Sequence, residues 1–268
     1  MISKNILLTF DIEEFDLPLE YGDYIKNEDM LSISFSGCLK ILDILKHYKI
    51  NSTLFITGFF GERYPKLIKR ISKCGHEIAL HGYKHSQKYS QLGKEDFLKN
   101  IKKNKKILEE NYNKRILGFR SPRMEKVPFD ILKKADLKYD SSLHPTYVPS
   151  RYNNFTFSRN IEFEKGIFEV PISVTPIIRL PFTWIWFRNL GLKYAKFCTK
   201  FSLLDQNFIN IYFHPWEFES IEEFDIPAYI KNNTGKPMIE LLKSYIEWCL
   251  EKDFRFNTIK EFLNQYTR

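Results

Sequence analysis

Short apolar runs alternate with amphipathic stretches along this chain, and that alternation constrains its fold more than any other feature. Residues 6–10, 52–56, 77–80, 116–119, 137–139, 167–174 and 208–213 read as strands. Between them, residues 34–48, 65–74, 94–111 and 128–135 have helical spacing, and 238–250 adds a helix ahead of a closing strand and helix. In 34–48, Leu39, Ile41, Leu42 and Leu45 share one side, and Gly75 supplies the stop after 65–74. Strands that alternate with helices build parallel βαβ units. Six or more such units in one domain give a barrel or a doubly wound sheet, and both gather a site at the carboxyl ends of the strands.

One unit is expected. The 268 residues contain no Ser/Gly or Pro-rich linker, repeat or low-complexity run, so 1–268 reads as a single α/β domain. A hydrophobic content of 43% supplies a sizeable core and argues against disorder. The net charge of +8 suits nucleic acid, anionic membrane or phosphorylated ligands. No zinc-finger spacing, RNP-type strand or recognition helix accompanies it, so nucleic acid is not an expected partner. Cys38, Cys74, Cys198 and Cys249 are far apart and form no CxxC pair, which reads as reduced thiols in a reducing compartment. The apolar run at 6–10 is too short for a signal peptide and ends in acids, so a cytoplasmic location is expected. No window reaches the uncharged length of a membrane span.

Polar residues follow five of the strands. Asp11 and Glu13 follow the first, His81 and His85 follow 77–80, and Arg120 follows 116–119. Asp140, Ser141 and Ser142 follow 137–139, and His214 follows 208–213. A barrel would bring all five sets to one face. Asp11 and Glu13, two apart in extended chain, point to the same side, and such carboxylates repel unless a cation or proton lies between them. His81 and His85, four apart, can reach one ion. Alone this His pair is a weak signal. With a carboxylate it forms a ligand set that leaves a divalent metal an open position for water and the second carboxylate free as a base.

The motifs that carry these residues resemble the polysaccharide deacetylase, or NodB-homology, family from residue 9 to about 217. Thr9-Phe10-Asp11-Ile12-Glu13, His81-Gly82-Tyr83-Lys84-His85-Ser86, Phe119-Arg120-Ser121-Pro122, Tyr139-Asp140-Ser141-Ser142 and Tyr212-Phe213-His214-Pro215-Trp216-Glu217 occur in the family's order. The resemblance implies a distorted (β/α)7-type barrel with its active site at the C-terminal ends of the strands. It implies Asp11 as general base paired with Arg120, His214 as general acid, and Glu13, His81 and His85 as ligands of a divalent metal, with Zn2+ expected. Tyr139, Ser141 and Trp216 would bind substrate. The reaction implied is metal-dependent removal of acetate from an N-acetylated amino sugar, with water activated by the metal. The sequence departs from the family in placing Glu13 where Asp is usual. Glu14 beside it should point away, as a solvated or supporting acid. Ser141 and Ser142 lack the glycines of a nucleophile elbow. His144 and Trp216 either line a groove or pack beside it, and His47 and His76 read as structural.

A cytoplasmic deacetylase needs a substrate made there, either a soluble precursor or a lipid-linked sugar. In residues 176–198, Phe182, Trp184, Trp186 and Phe187 are interleaved with Arg179, Arg188, Lys193 and Lys196. This composition suits a lid, a sugar-binding wall or contact with an anionic membrane surface. With membrane contact, the resemblance narrows to deacetylases of undecaprenyl-phosphate-linked amino sugars, of the kind used in lipid A modification, at the inner face of the cytoplasmic membrane. The alternatives are a deacetylase of peptidoglycan or another polysaccharide, a non-catalytic carbohydrate-binding barrel and a cyclic-amide hydrolase.

Overall fold

A computed structural model describes residues 3–149 and 151–266; Met1 and Ile2, part of the N-terminal reading, lie outside these. Seven parallel strands form a curled sheet in the order β10-β1-β2-β3-β4-β5-β9. They are β1 (Asn5–Ile12), β2 (Thr53–Ile56), β3 (Glu77–Leu80), β4 (Gly118–Phe119), β5 (Tyr139–Asp140), β9 (Ile167–Glu169) and β10 (Phe208–Phe213). Antiparallel β8 (Glu162–Glu164) extends the β9 edge, β11 (Arg255–Phe256) pairs with the start of β1, and β6 (Tyr147–Val148) and β7 (Tyr152–Asn153) form a separate hairpin. The gap between β9 and β10 is bridged just past β9, where Ser173 and Asn210 exchange two hydrogen bonds of 2.9 Å. The result is the seven-unit α/β barrel that the family resemblance implied, with its wall incomplete between β9 and β10.

Ten α-helices among the described residues surround the sheet: α1 (Leu17–Glu20), α2 (Asn27–Tyr48), α3 (Gly58–Arg63), α4 (Pro65–Lys73), α5 (Lys94–Tyr112), α6 (Phe129–Lys134), α7 (Trp184–Ser202), α8 (Ala228–Lys231), α9 (Lys236–Glu251) and α10 (Ile259–Tyr266). Helices α4, α5, α6 and α9 agree with their periodic patterns within two residues and α10 is the expected closing helix, whereas the short α1, α3 and α8 were not expected. Two further differences have physical causes. Helix α2 begins seven residues before the expected start at residue 34, because Met30, Leu31 and Ser34 continue the buried face toward an acidic first turn of Glu28 and Asp29. Helix α7 forms where the sequence showed a Pro- and charge-broken segment, and it turns sharply at Gly191, whose φ is +71°.

Alternation along the strands explains both the core and the site. In β1, Ile6, Leu8, Phe10 and Ile12 join the large core between sheet and helices, with Leu54, Ile56, Ile78, Leu80, Ile209 and Ile211. The opposite parity faces the barrel interior. Leu7, Phe55, Ala79, Tyr139 and Phe208 pack there, and Ile259, Phe262 and Leu263 of α10 close the lower end. Moving up the interior face of β1, Leu7 gives way to Thr9 and then Asp11, all buried. The interior is therefore apolar at the amino ends of the strands and ionisable at their carboxyl ends.

Gly37 of α2 makes a close approach that bears on the site. A Cβ there would lie 1.9 Å from the Pro215 carbonyl oxygen. Only glycine lets α2 rest on the short turn Pro215–Phe218 that follows His214.

Candidate metal and catalytic site

Glu13 follows β1 with the parity of Asp11, and its carboxylate lies between two imidazoles. His81 Nε2 is 2.9 Å and His85 Nε2 3.3 Å from Glu13 Oε2. The outer nitrogens of both rings are engaged. His81 Nδ1 lies 2.9 Å from the Arg120 carbonyl oxygen, which only accepts, so Nδ1 carries the proton and Nε2 faces inward. His85 Nδ1 lies 2.6 Å from Asp16 Oδ1. The ligand atoms of Glu13, His81 and His85 lie within 4.8 Å of one another, and all three residues are buried.

This donor chemistry fits a divalent metal. Two nitrogens whose outer positions are taken converge on one carboxylate, with a backbone carbonyl behind His81 and the Asp16 carboxylate behind His85. Without an ion, protons take up the excess negative charge. Burial opposes a charged ring at His85, but Glu13 and Asp16 outweigh it and raise its pKa to about 9. Burial also opposes ionisation of Glu13, yet His85, His214 and His81 hold its pKa down at about 2. A bound metal would displace those protons.

Asp11, two residues before Glu13, is held from below. Arg120 Nη1 donates to Asp11 Oδ1 at 2.7 Å and to Thr9 Oγ1 at 2.9 Å. Its Nε donates to the Ser141 carbonyl and its Nη2 to Ser141 Oγ. The guanidinium also lies 4.0 Å from the centre of the Phe55 ring. With four of its five N–H donors used and no exposed surface, Arg120 fixes Asp11 in place.

On the far side of Glu13, His214 Nε2 lies 3.8 Å from Glu13 Oε1. Glu217, one helical turn on, accepts from the His214 backbone N–H at 2.8 Å, and its Oε1 lies 3.1 Å from His214 Nδ1. Arg188 of α7 donates to the other Glu217 oxygen at 2.6 Å. Burial opposes a charged His214, but Glu13 and Glu217 outweigh it and raise its pKa above the ordinary value. Trp216 stacks on the His214 ring with centroids 5.1 Å apart.

Asp11, Glu13, His81, His85, His214 and Trp216 all line one small pocket of about 70 Å³. Two other expected substrate contacts do not. Tyr139 is buried in the lower layer of the interior, where its hydroxyl donates to Glu77 at 2.9 Å. Gly118 beside it leaves room for the ring: a Cβ would lie 1.9 Å from the Tyr139 Cζ. Ser141 is also buried, and its hydroxyl donates to the Val170 carbonyl and accepts from Arg120 and Asn210. Both face the barrel interior, as their parity requires, but below the pocket, so they support the site without reaching substrate. Glu14 is buried rather than solvated, and it accepts from the His85 backbone N–H at 3.1 Å. Asp16, Glu217 and Arg188, which brace His85 and His214, were not expected from the sequence as supports. His144 lines a neighbouring cavity, and His76 is buried away from the pocket.

Segment 176–198 also needs correction. Phe182 and Phe187 are core residues, and Arg188 is buried against Glu217, so none of the three is available to a surface. Trp186 remains exposed. All four cysteines are free, and three are buried.

Known proteins resemble this chain in sequence and in fold. Residues 2–139 match the family model described as polysaccharide deacetylase. A peptidoglycan-N-acetylglucosamine deacetylase of Bacillus cereus is 30% identical over 122 residues, 44% of this chain and 42% of the relative. A peptidoglycan deacetylase of Helicobacter pylori is 30% identical over 160 residues, 55% and 53% of the two chains. The chain thus matches about half the length of these relatives. Among solved structures, a Mycobacterium smegmatis protein named for the polysaccharide deacetylases superposes with a TM-score of 0.70 at 20% identity, covering 97% of this chain and 89% of the other. The PuuE allantoinase follows the same fold at a TM-score of 0.64 and 15% identity, covering 96% and 88%. The family model spans more than half of the chain and includes the strand ends that carry Asp11, Glu13, His81, His85 and Arg120, so this protein belongs to the polysaccharide deacetylase family.

Proposed function

We propose that this protein removes acetate from an N-acetylated amino sugar by metal-dependent hydrolysis of the amide. The observation that carries the reading is the placement of Glu13, His81 and His85 between Asp11, held by Arg120, and His214, held by Glu217. Zinc suits two imidazoles and a carboxylate. When bound, it supplies Lewis acidity and an activated water. Asp11 takes a proton from the attacking water as the carbonyl carbon gains oxygen. His214 Nε2 gives its proton to the amine nitrogen as the C–N bond breaks. The proton on the new carboxyl returns to His214 and the proton on Asp11 passes through solvent to the amine, so acetate and the amino sugar as its ammonium leave and both residues are restored.

The finer reading is a sugar carried on polyprenyl phosphate and presented at the inner face of the cytoplasmic membrane. It is supported by an apolar surface on and around α7: Ile177, Ile178, Trp186, Leu190, Phe197 and Phe201 are exposed, beside exposed Lys193 and Lys200. Apolar side chains with flanking cations suit an anionic bilayer surface. No described helix is long and apolar enough to cross a membrane. The peptidoglycan deacetylases among the relatives favour a second reading, a polymeric glycan substrate.

Acetate release should be measured from a polyprenyl-phosphate-linked N-acetylhexosamine, from peptidoglycan fragments and from chitin oligomers, with ring opening of allantoin as control. Release from the first alone supports the lipid-linked reading, and release from the glycans alone moves the substrate to the polymer. Allantoin turnover without acetate release overturns the deacetylase reading.

A further inference from the structure

The catalytic pocket, at about 70 Å³, is far smaller than the roughly 300–1,000 Å³ of small-molecule sites. It has room for an acetamido arm and water, while the sugar ring and whatever the ring is joined to must lie outside it. A cavity of about 700 Å³ adjoins it. The two share Leu17, Arg151, Tyr152, Trp184 and Tyr212 as walls, so a ligand can pass between them without leaving the protein surface. Tyr21, Trp184, Trp186, Tyr212 and Tyr229 give the cavity flat aromatic faces, and Asn189 adds an amide. His144 is buried at its wall, with Nδ1 2.8 Å from the Tyr152 hydroxyl and no hydrogen-bond partner on Nε2.

The charges at the junction differ in a telling way. Arg123 lines the catalytic pocket, but it is spent on Glu20, Asp16 and the His85 carbonyl. Arg188 is spent on Glu217 and backbone carbonyls. Arg151 lines both spaces and is exposed, and its guanidinium forms no ion pair among the described residues. Tyr21, Tyr152 and Tyr212 line the larger cavity with it, and its charge acts on their phenols. A guanidinium without a counter-ion, set among hydroxyls where two cavities meet, is a receptor for a planar or tetrahedral anion.

We infer that the larger cavity holds the part of the substrate joined to the acetylated sugar, and that this part carries an anionic group received by Arg151. The inference rests on the deacetylase reading for the identity of the sugar and adds the chemistry of its neighbour. The anion is a phosphate diester to a lipid carrier or the carboxylate of an adjoining acidic sugar.

The test compares wild type, Arg151→Gln and Arg151→Lys on three probes: N-acetylglucosamine joined through a phosphate diester to farnesol, a disaccharide of N-acetylglucosamine and glucuronic acid, and neutral chitotetraose. Acetate release gives kcat and KM, and tryptophan fluorescence gives binding independently of turnover. Arg151→Gln is expected to raise KM and Kd by about tenfold or more for an anionic probe. The neutral tetramer and kcat stay unchanged, and Arg151→Lys recovers part of the loss. Loss confined to the farnesyl probe assigns the anion to phosphate, and loss confined to the disaccharide assigns it to a carboxylate. An equal effect on all three probes, or no effect on any, overturns the inference. Absence of acetate from every probe, with Arg151-dependent binding intact, overturns the deacetylase reading and leaves the anion site standing.

Discussion

Asp16 Oδ1 lies 2.6 Å from His85 Nδ1 and so decides which nitrogen of His85 faces Glu13. The same carboxylate lies 3.5 Å from Arg123 Nη2, which holds it in place. A carboxylate behind a ligating imidazole fixes the ring and raises its basicity, and loss of such a partner costs about 10- to 100-fold in metal affinity. Asp16→Asn should therefore weaken zinc binding by about that factor, as read by competition with a chromophoric chelator. Excess zinc should restore its turnover. Unchanged affinity would show that Asp16 only braces the loop.

Glu217 stands to His214 as Asp16 does to His85, but with a different task. It accepts from the ring and from the backbone N–H of the same residue, with Arg188 as counter-charge. An amide needs its leaving nitrogen protonated, whereas an aryl ester leaves as a stable phenolate. Glu217→Gln should lower kcat on an N-acetyl sugar by about 100-fold and leave hydrolysis of 4-nitrophenyl acetate nearly unchanged. The variant leaves Arg188 buried without its partner, at a cost of about 3–5 kcal/mol. The ester-to-amide ratio is the informative readout, since it is independent of how much protein folds. Equal losses on both substrates would remove Glu217 from proton transfer.

Asp140 and Glu169 sit opposite one another where β5 and β9 pair. Burial raises both pKa values, that of Asp140 to about 6 and that of Glu169 well above the ordinary range. The native state then keeps protons that the unfolded chain has released. Its stability from this pair is whole below about pH 4, falls as pH rises toward 6, and falls further as Glu169 ionises. Glu169→Gln leaves an amide oxygen for the Leu143 N–H, which donates to Glu169 Oε1 at 3.2 Å in the native site. The Tm of wild type should decline relative to Glu169→Gln between pH 5 and 8, by about 2–4 °C per ~1 kcal/mol. Parallel Tm curves would contradict this.

The residues legible in the sequence were those whose position follows from local geometry. Asp11 and Glu13 share a face through the two-residue strand period, and His81 and His85 follow a strand that the sequence bounds correctly. Their supports were harder to see. Asp16 reaches His85 across 69 residues and Arg188 reaches Glu217 from a helix masked by prolines and charges. Glu217 did carry a local signal, three residues after His214 at the start of a short turn, in the manner of a capping box. Tyr139 and Ser141 were misplaced because alternation gives the face of a strand and not the height within a barrel. Tyr139 lies level with Gly118 and Glu77 at the lower end, and Ser141 lies one layer up beneath Arg120. Arg151 lies in the hairpin region, where no periodicity marked it.

The central claim is that Glu13, His81 and His85 hold a metal across which Asp11 delivers base catalysis. It is tested most directly by acetate release from an N-acetylated glycan after chelation, after zinc is restored, and in Asp11→Asn. The account predicts loss on chelation, recovery with zinc, and a fall of about 100-fold or more in Asp11→Asn while zinc still binds. Release that survives chelation, or that persists in Asp11→Asn at near wild-type rate, would contradict it.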